Sequence, residues 1–108
     1  ELQGKADLFV VCSNLGFQQD RELAASVPGI AAIVGGNPGV LLPEPFREPT
    51  NGTLLVQAGY QGEWIGQLIL HINEAGQVVS YTGKTVILGA DFADDPDIRA
   101  WLNSLARP

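Results

Sequence analysis

Residues 7–36 read DLFVVCSNLGFQQDRELAASVPGIAAIVGG, and the fold follows from this stretch. Residues 7–13 form a short apolar run with polar ends, the pattern of a strand buried on both faces. Residues 20–27 place Leu23, Ala24 and Val27 on one side of a helix, and Pro28-Gly29 ends that pattern. Residues 30–34, IAAIV, make a second buried-strand run. Strand, helix and strand in this order close a β-α-β unit, whose crossover is right-handed and whose strands run parallel. The expected fold class is therefore α/β.

Downstream, residues 35–52 hold Gly35-Gly36, Pro38-Gly39, Pro43, Pro45, Pro49 and Asn51-Gly52. So dense a set of turn formers predicts a long loop without regular structure. Long loops in compact domains are usually functional, so this one is a place to look for a small-ligand site. Strand character resumes at 54–58. Residues 64–73 alternate, and Glu74-Ala75-Gly76 turns the chain into a return arm at 77–82, a hairpin. One more strand is expected at 84–88. Asp94-Asp95-Pro96 opens a final helix with acidic residues at its positive end, and Ile98, Trp101, Leu102 and Leu105 form its apolar stripe. Neither an internal repeat nor an interdomain linker interrupts this order.

Composition removes several function classes. A chain of 108 residues suffices for one domain and buries roughly 65% of its unfolded surface. The 13 Gly and 7 Pro stay below the roughly 25–30% that marks low complexity, so disorder and fibrous repeats are excluded. The net charge is −6, and the six basic residues are scattered, which argues against nucleic acid and against an anionic membrane surface. No apolar run reaches the 18 or more residues of a membrane span. Because the chain starts at Glu1 and contains no Met, it is expected to lack something upstream. A single Cys precludes an internal disulfide, and one His with one Cys precludes a zinc site of imidazole and thiolate alone.

Isolated candidates have plain structural readings. His71, in LILHIN, stands alone on a predicted strand without a second His, Cys or Asp beside it. Cys12, among apolar neighbours, reads as a small core residue without a nearby base to activate it. Asp91, Asp94, Asp95 and Asp97 lack calcium-loop spacing and read as helix N-terminal charge. Asn51-Gly52-Thr53 matches a glycosylation triplet but reads as a turn. Gly35, Gly36, Asn37, Pro38 and Gly39 resemble a phosphate-cradling loop in glycine content only, because no Gly-Lys-Ser/Thr follows.

Three segments together resemble the calcineurin-like metallophosphoesterases, in particular the catalytic domain of bacterial 5′-nucleotidases. Residues 7–36 are similar to that family's strand, Ser-His-Leu-Gly loop, helix ending in Val-Pro-Gly-Ile, and following strand. Residues 34–45, VGGNPGVLLPEP, are similar to its Gly-Gly-His-Ser-His-Thr loop. Residues 55–72, LVQAGYQGEWIGQLILHI, are similar to its Val-Gln-Ala-Gly-x-x-Gly-x-x-Leu-Gly strand pair.

The resemblance implies a single partial domain over residues 1–108: half of an αββα sandwich, corresponding to the later part of the catalytic domain. It also implies a two-metal hydrolytic centre that this chain does not reproduce. The family's first histidine falls on Asn14, and the other two fall on Asn37 and Gly39, with Pro38 between them. The upstream Asp-x-His, Gly-Asp-x-x-Asp and Gly-Asn-His-Asp/Glu motifs have no counterpart. Hence neither catalytic residues nor a resident metal is expected here; Gly35, Gly36 and Pro38 would line the loop. The expected role is structural or interactive within a longer protein, through the missing N-terminal half or another copy at an exposed sheet. Two other readings stay open: part of an active phosphomonoester hydrolase completed by that half, and a small-ligand module built on the 35–52 loop. Periplasmic or extracellular placement rests on the resemblance alone.

Overall fold

The structure, a computed structural model, describes residues 2–106. Strands β1 (Val10–Ser13), β2 (Ala32–Gly35), β3 (Phe46–Arg47) and β4 (Leu54–Val56) form one sheet in the order β1-β2-β4-β3. β1, β2 and β4 are parallel, with Val11, Ile33 and Leu55 in register, and β3 pairs antiparallel to β4. Helix α1 (Phe17–Ser26) joins β1 to β2. The expected β-α-β unit is present.

The core lies between α1 and one face of this sheet. Ala24, Ile33 and Leu55 are fully enclosed, with Val11, Phe17, Leu23, Ile30 and Phe46 packed around them. The rings of Phe17 and Phe46 meet edge-on at 5.8 Å, and the Arg21 guanidinium lies 5.0 Å from the Phe46 ring centre. This accounts for α1 beginning at Phe17 rather than at residue 20: the Phe17 side chain belongs to the core, and Gly16, at φ 109°, turns the chain into the helix. At the other end Asn51 Nδ2 donates to the carbonyls of Ala24 and Ala25, satisfying acceptors the helix leaves free.

The second sheet is the hairpin β5 (Trp64–Ile72) and β6 (Val78–Ile87). β6 runs unbroken through Gly83, so the separate strand expected at 84–88 is the continuation of the return arm. Gly83 is where the hairpin meets the first sheet's loop, since a β-carbon there would overlap the Pro45 ring. Gly66 faces Ala58 with more room, a β-carbon there lying 3.4 Å from the Ala58 methyl. The hairpin approaches the first sheet and its loops at these points, and two clefts of about 240 and 600 Å³ lie between them.

Three further expectations are corrected. The 35–52 loop is not wholly irregular: between Pro45 and Pro49, Phe46 and Arg47 pair with β4, where an edge position tolerates flanking prolines. β1 and β2 are not buried on both faces. Val10 is 51% and Val34 43% exposed, because β1 is an edge strand and the hairpin does not reach it. Cys12 shares that open face and is exposed rather than in the core.

Helix α2 (Pro96–Leu105) is capped by Asp95, whose carboxylate accepts from the N–H groups of Asp97 and Ile98, and Asp94 pairs with Arg99. The acidic cluster is therefore N-terminal charge, as expected. Its apolar stripe, Ile98, Trp101, Leu102 and Leu105, is more than half exposed at every position. The radius of gyration is 17.2 Å, against about 13 Å for a compact chain of this length. Hairpin and α2 extend from a small core and leave apolar surface open. Among the described residues, no helix is long and apolar enough to cross a membrane.

Candidate functional site

In a parallel sheet, the strand C-termini carry the loops that bind and react. Here β1, β2 and β4 end together at Ser13, Gly35 and Val56, and the loops leaving β1 and β2 meet at that rim. Asn37 Nδ2 donates to the Asn14 backbone carbonyl at 3.2 Å. The two positions singled out by the sequence are therefore brought together, 23 residues apart in the chain. Both side chains are exposed.

Gly39, the third position, is different in kind. Its backbone sits at φ 95°, a region L side chains avoid, and a β-carbon there would lie 2.6 Å from Tyr60 Cβ. Its loop is clamped by pairing with the segment after β4: Gly59 N donates to Val40 O and Leu42 N to Gln57 O, both at 2.9 Å. Gly36 is open, whereas Gly35 is closed in by the side chains of Asp20 and Gln57.

Sequence reasoning missed this last pair. Asp20 and Gln57 are 2% and 4% exposed, and they make the rim a buried polar cluster rather than a bare loop. Ser13 Oγ donates to Asp20 Oδ1 at 2.5 Å and accepts from Leu15 N at 3.1 Å. A polar Gln inside the apolar LLVQA run was the available signal, since buried polar groups persist where they are hydrogen-bonded.

The other candidates lie elsewhere. His71 is exposed near the hairpin turn, paired with Ser80 across the strands. The 240 Å³ cleft touches the rim through Gly35 and Gln57 and is otherwise lined by apolar groups such as Val34, Leu42, Pro43 and Leu68 together with the polar Gln67, Lys84 and Thr85. Among the described residues, no three His, Cys, Asp or Glu side chains converge as a metal centre would need. The donor set at these positions does not fit a two-metal site: Asn14 and Asn37 offer only neutral amide oxygens, and Gly39 bears no side chain.

No family model matches the chain. It is 27% identical to human 5′-nucleotidase over 110 residues, covering 87% of this chain and 19% of that protein. Snake venom 5′-nucleotidase from Crotalus adamanteus is 26% identical, over 89% of this chain and 19% of its own length. The uncharacterized metallophosphoesterase YunD of Bacillus subtilis is 27% identical, over 99% of this chain and 23% of its own. In three dimensions the chain matches the Thermus thermophilus sulfate thiohydrolase SoxB, solved with glycerol, at a TM-score of 0.81 and 25% identity. That match covers 92% of this chain and 18% of SoxB. The chain spans about a fifth of the length of these relatives.

Proposed function

We propose that this chain, related to the 5′-nucleotidases and metallophosphoesterases and sharing the fold of SoxB over most of its length, is a non-catalytic part of a phosphoesterase-like domain. Residues 1–108 form one partial domain whose metal positions are no longer used for metal, with a structural or interactive role.

Gly39 carries this reading. A ligand side chain at that position would meet Tyr60 and require an unfavourable backbone conformation, so the rim is built without room for it. Asn14 and Asn37 support the same conclusion. Neutral amides bring no negative charge and no imidazole nitrogen. The family's two divalent ions would need ligands that this chain does not supply.

The role is association. The free edge of β1, the open face at Val10 and Val34 and the unburied stripe of α2 are surfaces that proteins normally cover. The intended occupant is the polypeptide that completes the two sheets, and the relatives' roughly fivefold greater length supports that choice.

The test is metal analysis of the natural polypeptide together with a phosphomonoester assay over added Mn²⁺, Zn²⁺ and Mg²⁺. Absence of stoichiometric metal and of metal-dependent turnover is expected. Stoichiometric metal with turnover would overturn the proposal and establish the alternative, a hydrolase whose ligands come from outside residues 1–108.

A further inference from the structure

The 35–40 loop forms the rim, and two buried side chains from different elements, Asp20 and Gln57, converge on it. Gln57, just past β4, has its carboxamide oxygen toward the loop, where it accepts from Gly39 N at 3.1 Å and Val40 N at 2.9 Å. The opposite orientation would set its NH₂ against two N–H donors. With the oxygen so placed, the Gln57 NH₂ faces the space above Gly35. Asp20 Oδ2 enters the same space from α1: a β-carbon on Gly35 would lie 2.7 Å from Asp20 Oδ2 and 3.2 Å from that end of the Gln57 amide. The other Asp20 oxygen is held by Ser13.

We propose that Gln57 is a positioning residue whose NH₂ donates to Asp20 Oδ2 while its oxygen holds Gly39 and Val40, so that the Gln57–Asp20 pair ties α1 and β1 to the rim loop. Gly35 is glycine because the pair closes over its α-carbon. The chain Leu15 N–Ser13–Asp20–Gln57–Gly39/Val40 then links all three parallel strand ends, and it sets Asn37 against Asn14. This is independent of the reading above, since it concerns only how the rim loop is fixed to α1 and β1.

The pair is tested by reversing its polarity in the natural polypeptide and following amide hydrogen exchange at Gly39 and Val40. Gln57→Glu keeps the size and the acceptor but loses the donor and sets a second carboxylate against Asp20. Protection at both amides should fall about tenfold or more. Combining Gln57→Glu with Asp20→Asn restores one donor and one acceptor in the reversed direction, and Asn at 20 can still accept from Ser13. Recovery of most of the protection is expected in the double variant. A role in packing alone would give no such rescue.

Unchanged protection in Gln57→Glu would overturn the proposal, as would a double variant no better than the single one. If Gln57→Glu alone fails to fold, folding of the double variant supports the pair, and failure of both overturns it. Metal-dependent turnover would remove the non-catalytic reading without touching this result. Loss of the rescue would remove the pair and leave that reading standing.

Discussion

The Asn51 carboxamide donates to the Ala24 carbonyl at 2.8 Å and closes α1 from a turn 27 residues downstream in the chain. The same nitrogen reaches Ala25 O at 3.0 Å. Replacing Asn51 by Ala leaves both carbonyls without this donor, and a loss of about 1–2 kcal/mol is expected in urea unfolding. Asn51→Asp should cost more, since a carboxylate would face the negative end of the helix. Stability unchanged in both variants would show that solvent replaces the amide at no cost.

Glu48 makes the β3–β4 turn sensitive to acid. Its carboxylate is shielded from water, which opposes ionisation. The N–H groups of Thr50 and Asn51, the Thr50 hydroxyl and the Arg21 charge together outweigh that and hold it below its ordinary value of 4.5. A carboxyl whose folded value is depressed contributes stability that is complete above its unfolded value and is lost as pH falls through the folded one. Glu48→Gln should therefore be less stable than the parent at pH 7, with the difference shrinking steadily below about pH 4.5. Denaturation midpoints of both proteins across pH 3–7 measure it, and a difference independent of pH would contradict the assignment.

The core and the C-terminal helix should respond oppositely to truncation. Ile33 is fully enclosed between α1 and the sheet, so Ile33→Ala is expected to cost about 2–5 kcal/mol. Trp101 is larger but more than half exposed, and Trp101→Ala should change the unfolding free energy of this chain by no more than about 0.5 kcal/mol. If Trp101→Ala matched Ile33→Ala, α2 would have to be packed against the rest of the chain in solution.

Gly83 determines how closely the hairpin approaches the sheet. A methyl group at this position would meet the Pro45 ring, so Gly83→Ala should push the two apart at a cost of about 1–3 kcal/mol. Trp64 reports the change, since its indole lies beside Gly59 on the sheet side. A red-shifted emission is expected; an unaltered spectrum and unaltered stability would place the hairpin elsewhere.

Several of these relationships lay beyond local pattern. β3 is two residues between prolines, with no periodicity to betray it, and it exists because β4 offers an open edge. The true start of α1 is masked by Gln18 and Gln19, polar residues that follow the core residue Phe17. The burial expected for Val10, Cys12 and Val34 failed for a related reason: an apolar strand run records what the strand can pack against, not whether a second layer is there. Asp20 and Gln57 read as an ordinary helix carboxylate and an odd polar residue in a strand, and neither sequence position points to the other.

The amino-acid sequence by itself determined the β-α-β unit, the hairpin and the capped final helix, because alternation, the 3.6-residue stripe, Pro-Gly stops and acidic helix starts act over a few neighbouring residues. Asn14, Asn37 and Gly39 came instead from the resemblance of its motifs to those of the metallophosphoesterases. Only the tertiary structure decided that Asn37 turns onto Asn14, that Tyr60 closes the space at Gly39, and that Asp20 and Gln57 are buried together over Gly35. Those are encounters between segments some 20 or more residues apart, selected by the shared register of β1, β2 and β4, and no local propensity encodes such a register.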